Sequence, residues 1–386
     1  MSVDNCVLSA CDCVEPQSEP AERKILLICT SSQSVLNFRL GLIKALKKGR
    51  YDVSVVALDG TFKKEIEEYG VAFYCVNDEN RGINPLKLLS LKSKYYSVIK
   101  RVAPDIVFTF MLKPNLFGIP AAKRAGVKKI YCMVEGEGDV FINDGLKWKF
   151  IRRFVCKKYK KSFKSVQKVF FLNADDRMDF IKRKLLNESL CEIVPGVGVD
   201  LEKFAAKPVK NHASFLMIAR MLKTKGVAEY CKAAHLVKKR YPKARFSYLG
   251  AEGVLKIEDI QPYIADKTLS YFGTSSDVRP FLEDCSVFVL PSYGEGMPMT
   301  VMEAEASGRA VIVTDVNGCK ETVKDGYNGL LVKKADYRDL AEKMVYCIEH
   351  PDEVEEMCKN ARVFAEENFD ERKINDIVLS FIEKTE

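Results

Sequence analysis

Short apolar runs alternate with longer stretches of helical period along most of this chain. In the first half the apolar runs are residues 24–29, 52–58, 71–76, 105–111, 129–134 and 168–172. They are short, rich in β-branched residues and mostly apolar, the pattern of strands buried on both faces. Between them, residues 37–48 and 85–102 repeat apolar positions every three or four residues, as amphipathic helices do. Strand–helix–strand alternation predicts a parallel sheet covered by helices on both faces.

The pattern breaks at Pro195-Gly196-Val197-Gly198-Val199-Asp200, and a polar stretch at 204–212 follows with Pro208 inside it. Alternation then restarts, with strands expected at 214–219, 245–249, 269–272, 287–290, 310–314 and 329–332 and a clear helix at 227–240. Helical patterns at 335–349, 354–367 and 370–383 close the chain. No repeat of the solenoid type is present. The expected α/β architecture is two doubly wound domains facing across a cleft. Their expected bounds are 23–198 and 199–369, with a helix at 370–386 packing back on the first. A length of 386 residues with 47% hydrophobic composition suits two cores.

Residues 1–22 differ. They carry Asp4, Asp12, Glu15, Glu19, Glu22, Pro16 and Pro20 with no Lys or Arg, and are expected to be a disordered acidic tail. They lack the basic start and apolar core of a signal peptide. No apolar run approaches the length of a membrane-spanning helix. The thirteen cysteines are odd in number, and Cys29, Cys132 and Cys285 sit inside strand-like runs, where Cys acts as a small hydrophobe. Cys11 and Cys13 are a close pair without a second pair at zinc spacing. Reduced thiols and a cytoplasmic location are expected.

The net charge of +8 is uneven. Lys147, Lys149, Arg152, Arg153, Lys157, Lys158, Lys160, Lys161, Lys164 and Lys168 form ten cations uninterrupted by an acid. Trp148, Phe150, Ile151, Phe154, Val155, Tyr159 and Phe163 are interleaved, with Phe150, Ile151, Phe154 and Val155 expected to share a face. This predicts a basic amphipathic helix of the kind that lies on an anionic membrane. Lys147, Trp148, Arg152, Arg153, Lys157 and Lys158 are the membrane-contact candidates. A core-packed helix with a solvated basic face fits the same pattern. No recognised nucleic-acid motif accompanies it, so no nucleic-acid partner is expected.

Candidate chemistry concentrates in the second half. The strand at 287–290 runs into Tyr293-Gly294-Glu295-Gly296-Met297-Pro298-Met299, and Glu303 lies one to two turns into the helix that follows. A loop of this kind presents ligand groups at strand carboxyl ends. Its glycines let backbone approach a ligand, and the helix start offers amides to an anion. Arg220 and Lys225 leave the strand at 214–219 and enter a helix start, where a guanidinium fork and an ammonium suit a diphosphate. Together these residues predict a nucleotide-diphosphate-sugar site. From the first domain, Ser31 and Ser32, Lys113 and Asn115, and Glu135 and Glu137 are acceptor or cleft candidates; Glu135-Gly136-Glu137-Gly138-Asp139 fits a plain solvated turn equally well. His212, His235 and His350 are the only histidines and none falls on a cleft loop. Neither a P-loop nor a G-x-G-x-x-G fingerprint after the first strand is present.

With those residues in view, the chain resembles family 4 retaining glycosyltransferases of the GT-B fold, built from two Rossmann-like domains. E-G-M-P-M-T-V-M-E resembles their Glu-x7-Glu motif, A-R-M-L-K-T-K-G their diphosphate clamp, and G-V-D-L-E-K-F their interdomain signature. The likeness runs from about residue 24 to the end. S-V-L-N-F-R-L-G-L-I-K-A-L, K-P-N-L-F-G and V-E-G-E-G-D-V-F-I-N-D-G are similar to the bacterial N-acetylgalactosaminyltransferases that extend undecaprenyl-diphosphate-linked sugars. The resemblance implies that Glu303 binds the nucleotide ribose and that Arg220 and Lys225 hold the diphosphate. It places Glu295 against the donor sugar, with Gly296, Met297, Pro298, Met299 and Gly273 lining the nucleotide-sugar site. It implies a UDP-sugar donor, preferably UDP-GalNAc, a lipid-linked glycan acceptor, no cofactor and no metal. Location would be peripheral, at the inner face of the cell membrane. Ser31-Ser32 stand where many relatives carry glycines, and a histidine often found near the fourth-strand loop is absent. A sugar-nucleotide epimerase of the same fold would want more acid/base groups near the diphosphate. A non-catalytic glycan-binding relative would not need all of Arg220, Lys225, Glu295 and Glu303.

Overall fold

The computed structural model describes residues 23–77, 85–136, 138–142, 145–210 and 213–384. The expected acidic tail, Glu137 and His212 lie outside the described residues. The first half contains β1 (Arg23–Ile28), α1 (Ser32–Phe38), α2 (Leu40–Lys48), β2 (Tyr51–Ala57), α3 (Lys63–Glu67), β3 (Ala72–Cys75), α4 (Pro85–Val102) and β4 (Ile106–Phe110). It continues with α5 (Ile119–Ala125), β5 (Lys129–Val134), α6 (Asp139–Ile142), α7 (Leu146–Ser162), β6 (Lys168–Phe171), α8 (Ala174–Lys182) and β7 (Cys191–Ile193). The second half begins β8 (Ser214–Ile218), α9 (Val227–Arg240), β9 (Arg245–Leu249), α10 (Ile257–Ala265), β10 (Ser270–Tyr271), α11 (Arg279–Asp284) and β11 (Val287–Leu290). It ends α12 (Met299–Ala306), β12 (Ala310–Thr314), β13 (Gly329–Val332), α13 (Tyr337–Glu349), α14 (Pro351–Asn368) and α15 (Glu371–Lys384).

These strands make two parallel sheets, ordered β3-β2-β1-β4-β5-β6-β7 and β10-β9-β8-β11-β12-β13. Strand order reverses between β1 and β4 in the first and between β8 and β11 in the second, the places where open α/β sheets bind ligands. The central strands are buried at every position, for example β4, β8 and β12, which explains their uninterrupted apolar runs. β7 was not expected; it has three residues with Glu192 in the middle, too short for a period to show. The helix expected at 37–48 is two helices, because the chain changes direction at Arg39.

The chain crosses between sheets twice, and the crossings touch. Val199 N–H donates to Phe369 at 2.8 Å, and Glu371 N–H donates back to Val199 at 3.2 Å. Beyond the second crossing, Ile374, Val378 and Ile382 of α15 are buried in the core beneath the first sheet. Among the described residues no helix is long and apolar enough to cross a membrane.

Candidate active site

The site grows from the switch point of the second sheet. β8 ends at Ile218 and leaves Arg220 exposed; a single tight turn, Lys223–Lys225, then leads to α9. Gly226 begins that helix at φ 72°, and a Cβ there would lie 2.1 Å from the Pro291 carbonyl oxygen, so only glycine lets the turn press against the end of β11. Backbone bonds fix the facing loop. Tyr293 N–H donates to Thr224 at 2.8 Å, and Glu295 N–H donates to Asn317 at 3.0 Å. Lys225 Nζ consequently meets Glu295 Oε1 at 2.5 Å. The Tyr293 hydroxyl donates to Glu229 at 2.8 Å, and burial pushes its pKa up to about 12.

Met297 packs against the cores of both domains, Pro298 caps α12, and Met299 opens it. Glu303 follows in α12, half-buried. Burial raises its carboxyl to about 7, with Lys203 working in the opposite sense. Gly273 sits beyond β10 at φ 67° in open space, and its carbonyl accepts from Gly250 N–H at 2.7 Å.

The opposite wall comes from the first domain. Gly296 packs so closely on Glu135 that a Cβ would lie 2.3 Å from the Glu135 carbonyl oxygen. Asn173 Nδ2 donates to the Gly296 carbonyl at 2.7 Å, and Lys320 pairs with Asp175 at 2.5 Å. Between the walls lies a cleft of about 470 Å³, lined from the first domain by Glu135, Gly136, Gly138, Phe141 and Asp176. Tyr293 to Gly296, Asp315 to Asn317 and Lys334 line it from the second. That volume suits a small-molecule site.

The structure brings Glu135, Glu295, Gly296 and Lys225 together. It commits several other candidates to the fold. Ser31 caps α1 by accepting from Ser34 N–H at 3.1 Å. Ser32 is buried, donates to Asp59 and accepts from Phe62 N–H at 3.2 Å. Asn115 is buried too, accepting from the Thr109 hydroxyl at 2.6 Å and donating to Met133 at 2.8 Å, so it joins β4 to β5 rather than offering an amide to the cleft. Lys113 is half-buried and precedes the short helical turn Pro114–Gly118.

Several site residues were missed. Arg39 is buried, lies 4.1 Å from the Phe110 ring centroid and pairs with Glu135, fixing the acidic loop. Asn173 caps α8, accepting from Asp176 N–H at 2.8 Å, and brings Asp176 to the cleft. An Asn followed by two acids just after an apolar run is a helix-start signal, and it could have pointed to this third strand end.

Comparison with known proteins gives the family. Residues 199–364 match the family described as "Glycosyl transferases group 1", and residues 24–173 match "Glycosyl transferase 4-like". One relative, the N,N'-diacetylbacillosaminyl-diphospho-undecaprenol alpha-1,3-N-acetylgalactosaminyltransferase of Campylobacter jejuni, is 30% identical over 88% of this chain and 93% of its own. The chain is a group 1 glycosyltransferase. The UDP-Gal:alpha-D-GlcNAc-diphosphoundecaprenol alpha-1,3-galactosyltransferase of Escherichia coli is 27% identical over 78% of this chain and 81% of its own. In fold the enzyme is GT-B. The crystal structure of Anabaena HepE in complex with UDP superposes with TM-score 0.74 at 19% identity, covering 94% of this chain and all of that one.

The basic helix of this glycosyltransferase differs from the expected one. α7 stops at Ser162, and Lys168 belongs to β6, paired with Glu192 at 2.6 Å. The expected apolar face splits in two. Val155 and Tyr159 are buried, and Trp148 and Ile151 pack against the first-domain core. Leu146, Phe150 and Phe154 form a separate outward stripe, exposed by 75%, 74% and 36%. Arg153 and Lys157 are exposed and Lys158 half-buried, whereas Arg152 turns inward to the Val140 and Phe141 carbonyls at 3.1 and 3.3 Å.

Proposed function

We propose that this glycosyltransferase moves a hexose or N-acetylhexosamine, GalNAc foremost, from a UDP-sugar to a polyprenyl-diphosphate-linked glycan, with retention at the anomeric carbon. The observation that carries the reading is Lys225 at the β8–β11 switch point, paired with Glu295, with Arg220 exposed at the end of β8. Two cations at a strand end suit a diphosphate and neutralise it as it leaves. Lys225 then exchanges the Glu295 carboxylate for phosphate oxygens, and Glu295 turns to a donor-sugar hydroxyl. Glu303 accepts the ribose hydroxyls, and the amides from Gly296 to Met299 lie beside the sugar. With charge neutralised by side chains, no metal is required. The acceptor class rests on two relatives whose names specify diphospho-undecaprenol acceptors. Such an acceptor places the enzyme at the inner face of the cell membrane, with the outward stripe of α7 on an anionic surface. The product would serve surface-polysaccharide or glycoprotein-glycan assembly.

The test is transfer itself. Radiolabelled UDP-GalNAc, UDP-GlcNAc, UDP-Gal and UDP-Glc are each offered with a panel of polyprenyl-diphosphate-linked sugars, with and without EDTA. Label should enter the lipid fraction from UDP-GalNAc, and chelator should not stop it. Transfer only to free sugars would overturn the acceptor class, and chelator-sensitive transfer restored by manganese would overturn the metal-free reading.

A further inference from the structure

Asp176 stands in the first turn of α8, in the acceptor-side domain, and is 1% exposed. Its Oδ2 has no hydrogen-bond partner among the described residues. A carboxylate oxygen stripped of water and left without a donor is costly, so a buried one calls for an explanation. Its location supplies one. Asp176 lies at the floor of the interdomain cleft with Glu135 and Gly136 on its own side and Glu295 and Gly296 on the other. The start of α8 is also anchored to the donor-side domain. Asn173 bonds the Gly296 carbonyl at 2.7 Å, and Asp175 pairs with Lys320 at 2.5 Å. The position of Asp176 beside the Glu295 loop is therefore set by two bonds from the residues just before it.

The surroundings select the ligand chemistry. Asp175 and Asp179 on the same helix and Glu321 from the short turn Lys320–Thr322 face it, and the nearby Lys320 is taken by Asp175. Burial first, then these acids, lifts its carboxyl to about 7, with the Asn173 side chain working the other way. With Glu135, Glu295 and Asp315 against Lys334 in the cleft lining, a phosphate is disfavoured beside Asp176, whereas a neutral O–H donor fits. Arg220, Lys225, Glu295 and Glu303 already serve the donor from the second domain, so the hydroxyl left for Asp176 is one carried by the acceptor. Resting on the transfer reaction proposed above, we infer that Asp176 accepts a hydrogen bond from a hydroxyl of the acceptor sugar and orients that sugar toward the donor anomeric carbon.

The experiment uses full-length Asp176→Asn and Asp176→Ala with the best lipid-linked acceptor, at saturating donor. Acceptor kcat/KM should fall about tenfold for Asn and about a hundredfold for Ala. UDP affinity by calorimetry should stay within twofold, which also certifies that each variant is folded. Wild-type acceptor kcat/KM should rise as pH passes through about 7, and the Asn variant should flatten that limb. Unchanged acceptor kinetics in both variants overturns the inference. So does a parallel loss of UDP affinity, which would make Asp176 a donor or purely structural residue. If the transfer reading itself fails, the sign is different: wild type moves no sugar to any polyprenyl diphosphate, and the inference falls with it.

Discussion

Lys225 and Glu295 pair at 2.5 Å, so a substitution at either one also changes the surroundings of the other. Lys225→Ala removes a charge-stabilising group and leaves a half-buried carboxylate unpaired. Loss of such a donor lowers kcat/KM by roughly 10²–10³, and UDP binding, measured by calorimetry, should weaken alongside. Turnover within twofold of wild type would sink the assignment. Glu295→Gln should act mainly on kcat, because sugar positioning matters most as the bond breaks. Glu303→Gln should act mainly on donor KM, because the ribose contact proposed for it would be the same in ground and transition states. Glu303 adds a pH signature. Its folded carboxyl titrates near 7 instead of 4.5, so between those values the folded protein holds the extra proton and stability falls as pH rises. Glu303→Gln should thus melt above wild type at pH 8, with the gap closing toward pH 5. A gap that widened on acidification would reverse the sign and the environment inferred for this residue.

At the scale of elements, α7 shows why a hydrophobic pattern can be right about a helix and wrong about its faces. Helical period groups Phe150, Ile151, Phe154 and Val155 on paper. The core takes Val155 and Tyr159 and leaves Leu146, Phe150 and Phe154 spaced four apart on the outside. Exposed aromatic and aliphatic side chains beside Arg153 and Lys157 are the composition of an interfacial helix. Each cation near an anionic surface contributes about 1 kcal/mol before screening. The triple variant Phe150→Ser, Arg153→Glu, Lys157→Glu should lose sedimentation with anionic vesicles at low salt. UDP binding should be intact. Arg152 is left alone because its guanidinium holds the α6 carbonyls together. Continued sedimentation of the triple variant would make the basic face merely solvated.

For the whole molecule, the two sheets were legible because each central strand is buried on both faces and so reads as an unbroken apolar run. The pairing of Lys225 with Glu295 was legible because both charges follow strand ends, where nothing in the core explains them, whereas Glu303 lies inside α12 and was picked out by its spacing from Glu295. Asp176 and Arg39 were not legible, since their significance depends on which loops meet across the cleft, and no periodicity within one segment carries that. Asn115 misled for the converse reason: an amide just past a strand reads as cleft-facing until its partners Thr109 and Met133 are known. The last helix gives the sharpest test of how the two halves depend on each other. α15 follows α14 of the second domain, yet Ile374, Val378 and Ile382 are buried under the first sheet, and the Tyr131 hydroxyl donates to the Phe381 carbonyl at 3.4 Å. The core of the second domain closes with α14 and Phe369 and does not use α15. Val378→Asp puts an unpaired carboxylate into the first core, a change that destabilises by several kcal/mol. Limited proteolysis should then cut the first domain early while the second resists. UDP affinity should persist, because Arg220, Lys225, Glu295 and Glu303, the residues proposed to hold the donor, all lie in the second domain, and glycosyl transfer should be lost. Equal loss of UDP binding and protease resistance in both halves would show that the enzyme folds as one cooperative unit, with α15 stabilising the donor site as much as the acceptor side.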